Sequence, residues 1–200
     1  MNILLWVGAA GAWLFVIVFL VDGATRAGYH PIRHAVSALA LGSRGWVQTT
    51  NFVLCGIAVT MGAVGIGVGN GDVLLAIAIG VFGVSLVASG VFPMDPMRDY
   101  PPGAPSGTPE DTTLRHRLHD VAGMAVFVAL PVAAAIATFT VEDPVWQWWS
   151  GLTAVASTAG FFAFGQAWEN DSPRTGLIQK ATMLPGWIWL GALLARGATQ

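Results

Sequence analysis

The chain has 200 residues, 54% of them hydrophobic and only 10% charged, with a mean hydropathy of +0.64. A soluble domain carries about 25% charged residues, so this composition cannot cover a water-exposed surface and points to an integral membrane protein. The formal charge of -2 is spread without a basic tail or a long charge run, which argues against nucleic acid as a partner.

A bilayer crossing needs about 20 predominantly apolar residues. Six segments qualify: roughly 3–21, 46–69, 73–93, 119–140, 146–167 and 176–196. The first has no positive residue before it and is as long as a crossing, so it reads as a retained helix rather than a signal peptide. All six are rich in Gly and Ala, which suits close helix packing in lipid. The links alternate. Those at 22–45, 94–118 and 168–175 are polar, whereas Asn70-Gly71-Asp72 and Val141–Val145 are short. The expected architecture is all-α: a single transmembrane domain over 1–200, six helices arranged as three hairpins, with every odd-numbered loop on one face.

Charge orients that bundle. Arg26, Arg33, Arg44, Arg98, Arg115, Arg117, Arg174 and Lys180 fall on the odd-loop side and only Arg196 on the other. The positive-inside rule then places loops 22–45, 94–118 and 168–175 in the cytoplasm and both termini outside, in a multi-pass protein of the cell membrane. Trp46, Trp146, Trp148, Trp149, Trp168 and Trp187 lie at or near predicted ends and read as interfacial anchors.

In the first loop, Pro31 suits a first helical turn. Ile32, Ala35, Val36, Leu39 and Ala40 then recur at helical spacing, with Arg33, His34 and Ser37 on another face. This predicts a short amphipathic helix at the interface or under the bundle, ended by Gly42 and Gly45. The third loop carries Pro93, Pro96, Pro101, Pro102, Pro105 and Pro109, which favour a stiff, extended path. Thr108-Pro109-Glu110-Asp111 resembles a helix start. The fourth helix would then begin outside the hydrocarbon and carry Arg115, His116, His119 and Asp120 there. Polar pairs open the even helices (Gln48 and Asn51, His119 and Asp120, Gln179 and Lys180), a hint of triplication that any hairpin bundle can also show.

The candidate chemistry gathers on the odd loops. His34 and Ser37, three apart, can share a helix face and act as base and nucleophile; alternatively Ser37 bonds its own backbone. His30 and His34 have the spacing of a two-imidazole metal site, but Pro31 argues against His30 being helical, and neither a metal nor a haem is expected. Asp22 and Asp95 follow helix ends, where the dipole disfavours a carboxylate, so each should find a cation: Arg26 for Asp22, and Arg33, Arg98 or Arg115 for Asp95. Arg33, Arg44, Arg115 and Arg117 can bind an anionic head group bidentately or serve orientation alone. Gln48, Asn51 and Cys55 form one stripe, and Ser150, Thr153 and Ser157 another; both suit interhelical contacts. Cys55 is the single cysteine, so no intrachain disulfide forms. No ionisable residue lies near the middle of a predicted crossing, which disfavours a transporter. There is no Gly-rich phosphate loop and no G-x-S-x-G elbow.

The segments DGATRAGYHPIRHAVSALALGSRGWVQTTNF, SGVFPMDP followed by YPPG, RLHDVAG and LIQKAT with GWIWL together resemble the prokaryotic integral membrane family called domain of unknown function 998. The resemblance spans essentially the whole chain and implies a six-helix membrane bundle. Positions matching its motifs include Asp22, Arg33, His34, Ser37, Gln48, Asn51, Asp95, His119 and Asp120, whereas His30 and His116 depart from the pattern. No activity comes with the resemblance.

Three readings follow. In the first, the chain is an enzyme acting on a lipid or isoprenoid-like substrate. His34, Ser37, Asp22, Asp95, His119 and Asp120 would be its catalytic groups, and Arg33, Arg44, Gln48, Asn51 and Arg115 would hold the head group. In the second, the same residues form a structural network in a non-catalytic lipid-binding or accessory subunit. The third is transport. The expected partners are membrane lipids, with a membrane-protein partner or a homo-oligomer left open.

Overall fold

The computed structural model describes residues 2–69 and 71–200; Met1, and Asn70 of the expected second link, lie outside the described residues. Six long helices account for most of it: α1 (Asn2–Thr25), α2 (Gly45–Gly69), α3 (Val73–Val91), α4 (Leu114–Thr140), α5 (Pro144–Glu169) and α6 (Thr175–Thr199). Among the described residues there is no strand. Four of them, α1 to α4, are long and apolar enough to cross a membrane, as expected of a membrane protein. α5 and α6 match them in length but not in apolarity.

Each helix packs on its neighbour in the chain, and α6 closes the ring onto α1. Small residues let the backbones meet. A Cβ on Gly56 would lie 2.7 Å from the Gly83 carbonyl, and one on Gly8 2.8 Å from the Gly62 Cα. Aromatic rings fill the middle. Phe15 stacks on Trp187 with centroids 4.2 Å apart, and Phe82 meets the same indole edge-on. Trp187 is therefore core, 1% exposed, and not the interfacial anchor its sequence position suggested. It lies mid-way along α6, facing inward.

The first, third and fifth links meet at one end of the ring. Arg33 pairs with Asp99 at 2.5 Å, Arg26 donates to the Tyr100 hydroxyl, and Arg98 pairs with Asp171 at 2.8 Å. At the opposite end Arg196 reaches Asp143 at 3.6 Å.

Two local expectations are corrected. The first loop does not form the amphipathic α-helix. It makes turns and one short 3-10 helix, Val36–Ala40; Ala35, Val36 and Leu39 face inward as expected, but Ile32 is exposed and His34 buried, the reverse of their predicted places. The cause is that its backbone groups are used by α6. The Gly176 and Leu177 amides donate to the Arg33 and Ile32 carbonyls, and the Lys180 ammonium to those of Pro31 and His34. An α-helix would need those carbonyls for itself. The second correction concerns α4, which starts at Leu114 and not at Thr108–Asp111. Its cap is Thr113, whose hydroxyl accepts from the His116 amide at 3.2 Å.

The first loop crosses α6 so closely that a Cβ on Gly176 would sit 2.2 Å from the His34 carbonyl oxygen. Gly176→Ala is therefore expected to cost about 1–3 kcal/mol by lifting the loop. Thermal unfolding of the purified chain in detergent should show this, with Gly123→Ala, which meets open space, near wild type.

Candidate functional site

The residues predicted to form one cluster separate into three places. The first is an ion-pair knot. Asp22, buried in the last turn of α1, takes Arg26 at 2.5 Å and Arg44 at 2.7 Å. The Arg26 guanidinium also donates to the Leu41 and Arg44 carbonyls. This fastens the loop's start to its end. Gln48 and Asn51 lie just beneath it, inside the bundle. The Asn51 amide nitrogen donates to the Phe15 carbonyl and to the Gln48 side-chain oxygen, and Cys55 donates to the Asn51 oxygen. Asn51 thereby joins α2 to α1, while Gln48 and Cys55 bond to it within α2; Ser150 likewise accepts from Trp189 across α5 and α6.

The second place is the seam between the first and third loops. His34 is buried, and both its nitrogens are engaged. Nδ1 accepts from the His30 amide at 3.0 Å, so Nε2 carries the proton and donates to the Arg98 carbonyl at 3.1 Å. That leaves His34 unable to serve Ser37 as a base, or a metal as a ligand, without breaking the seam. Burial, with Arg33 and Lys180 close by, lowers its pKa to about 4. Arg98 closes the seam on its other side. Its guanidinium lies 4.0 Å over Trp168 and donates to Thr108, Thr175 and the Trp168 carbonyl. Arg98 and Asp99 both adopt left-handed backbone, φ 56° and 63°, held by bonds to the Gly107 and Pro105 carbonyls. Asp95 does not find the arginine expected of it. Its carboxylate takes the Thr113 amide at 2.8 Å and hydroxyl at 2.7 Å, at the positive end of α4. Desolvation pushes that carboxyl up, but the two Thr113 bonds and His116 outweigh it and hold it below its ordinary value. Arg115 lies beside it along a shallow groove.

The third place is a cavity of about 820 Å³ between α4 and α5 at the loop end, within the usual ligand-pocket range of about 300–1,000 Å³. Of the predicted residues, Ser37, His119 and Asp120 line it; His34, Asp22, Asp95 and the arginines do not. Its far half is apolar, with Met124, Phe127, Phe161, Phe162 and Phe164. Gly123 and Gly165 also border it, and a Cβ on either would meet only open space.

His119 is the best-placed reactive group there. Its Nδ1 lies 2.8 Å from the Phe92 carbonyl and 3.1 Å from that of Ser89. Both are acceptors, so Nδ1 bears the proton and closes the C-terminal end of α3. Nε2 then keeps a free lone pair, with no partner among the described residues. His116, which sequence reasoning set aside, also lines the cavity. Its Nδ1 accepts from the Asp95 amide at 3.0 Å, which turns Nε2–H toward the Asp120 carboxylate at 3.3 Å. The signal for that pair was the four-residue spacing on one helix. The other missed wall is the Phe161–Phe164 run with Gln166 and Glu169. Among the described residues no group of three or more His, Cys, Asp or Glu side chains is placed to hold a metal ion.

Two outcomes follow from this geometry. Asp22→Asn strands the Arg26 guanidinium in a buried position and should cost about 3–5 kcal/mol, seen as a lower melting temperature in detergent. His34 has its folded pKa below the unfolded value, so the unfolded chain binds the extra proton. Its contribution, on the order of 3 kcal/mol, is intact above about pH 6.5 and lost as pH falls from 6.5 to about 4. A melting-temperature profile should fall across that window, and His34→Gln should flatten it.

Neither a curated protein nor a solved structure matches the chain. A family model does, described as "Protein of unknown function (DUF998)", over residues 9–196. That match covers nearly the whole ring and every residue of the cavity wall, and the chain belongs to this family.

Proposed function

We propose that this is a six-span protein of the cell membrane that admits a lipid or isoprenoid-like amphiphile between α4 and α5 and performs acid–base chemistry on it through His119. The observation that carries the reading is the His119 ring. One nitrogen is fixed by backbone carbonyls, and the other keeps a free lone pair, on a residue that lines a cavity polar at one end and aromatic at the other. A general base must be held in one tautomer with its lone pair accessible. Asp120 and His116, joined at 3.3 Å, sit beside it as a second proton-handling pair, and Ser37 adds a hydroxyl. The arginines take no part in head-group binding in this reading, because Arg33 and Arg44 are spent on Asp99 and Asp22 and Arg115 lines the separate groove beside Asp95.

Exposed apolar side chains on α5 and α6 support six crossings. Trp148, Leu152, Val155 and Phe162 on one, and Leu177 and Ile188 on the other, face outward, which suits lipid and not water. The excess of basic residues at the loop end favours placing that end in the cytoplasm.

A second reading is a non-catalytic lipid-binding or accessory subunit. The Asp22–Arg26–Arg44 knot and the Arg98 seam favour it, since they close most of the loop end with structural bonds.

His119→Asn separates the two readings. Its amide can still donate to the α3 carbonyls, but it lacks the nitrogen equivalent to Nε2. The enzyme reading expects a near-wild-type melting temperature and a loss of about 100-fold or more in the rate at which the variant restores the lipid profile of a deletion strain, the size general base catalysis supplies. Full restoration would leave the accessory reading.

A further inference from the structure

We infer that the cavity between α4 and α5 selects an amphiphile whose head group is a hydroxyl or an amine, and rejects one carrying a phosphate or carboxylate. The inference rests on the cavity reading above and adds the chemistry of its occupant.

The polar end of the cavity holds two carboxylates and no fixed cation; its donors, the Ser37 hydroxyl, the Gln166 and Gln179 amides and the His116 Nε2–H, are neutral. Among the described residues no lysine or arginine lines it, whereas the carboxyl groups of Asp120 and Glu169 both do. The nearby cations are committed elsewhere. Arg98 is folded over Trp168 and bound to Asp171, and Lys180 gives its bonds to the Pro31, His34 and Gly176 carbonyls and the Tyr29 hydroxyl. His119 offers a lone pair at Nε2, because its proton is held on Nδ1 by two carbonyls. Gln179 has its oxygen taken by the Val36 amide at 2.7 Å, which leaves it a neutral N–H donor and no charge to offset the carboxylates. An anionic head entering this end would meet two carboxylates with no counter-charge, an arrangement that discriminates by repulsion. A hydroxyl or ammonium brings the donors that these acceptors lack. The aromatic half takes the hydrocarbon, and Gly123 and Gly165 keep the space between open.

The test uses the purified full chain in phosphatidylcholine nanodiscs with three photoreactive probes sharing one sixteen-carbon diazirine tail: the alcohol, the amine and the phosphate. The expected result is labelling of α4 and α5 peptides by the alcohol and amine at least tenfold above the phosphate. Gly165→Phe, which fills open space, should abolish it. Asp120→Asn combined with Glu169→Gln should bring the phosphate within about threefold of the alcohol. If the phosphate labels as strongly as the alcohol and Gly165→Phe blocks both, the head-group inference is overturned while the cavity reading stands. If no probe gives labelling that Gly165→Phe reduces, the cavity reading fails and this inference with it.

Discussion

A buried lysine without a carboxylate partner holds the loop end of this protein together. The Lys180 ammonium is 8% exposed and donates to three backbone carbonyls and the Tyr29 hydroxyl. A charge taken out of water is costly unless its donors are satisfied, so the first loop must keep its carbonyls turned toward α6. Everything above that contact inherits its position. The loop cannot wind into an α-helix, His34 is pressed inward against Arg98, and Val36 reaches Gln179. Arg98 does the same from the third loop, with Asp171 as its carboxylate partner, reaching across to α5 and α6.

The histidines show how one residue type separates by environment. His34 spends both nitrogens on backbone groups of two different loops and is a structural cross-link. His116 reads an amide from the third loop and turns its remaining proton on Asp120. His119 gives its proton to the end of α3 and keeps a lone pair. No composition argument distinguishes these three, because each role is set by which carbonyl or amide lies opposite.

The helices were legible because lipid-length apolar runs need no partner to be recognised. The Asp22–Arg26 pair was legible too, being four residues apart on one helix. So were the interhelical bonds of Asn51 and Ser150, as small polar groups in apolar helices. What stayed hidden was non-local. The start of α4 is fixed by Asp95, eighteen residues before Thr113, so the nearer Thr108-Pro109-Glu110-Asp111 signal misled. The first loop's amphipathic pattern was present, but its amides and carbonyls had a stronger claim from α6, some 140 residues later. The cavity needed two helices to be seen at once: Met124 and Phe127 on α4 and three phenylalanines on α5 are each unremarkable alone.

The ring is unevenly committed. α5 buries four residues, Ser150, Thr153, Ser157 and Ala167, three of them small and polar, whereas every other helix buries between eight and fourteen. Swinging α5 outward therefore forfeits less packing than moving any of its fellows. The wall of the chamber on that side is thus the helix least anchored in the interior, while the aromatic centre is held by Phe15, Phe82 and Trp187 on three others.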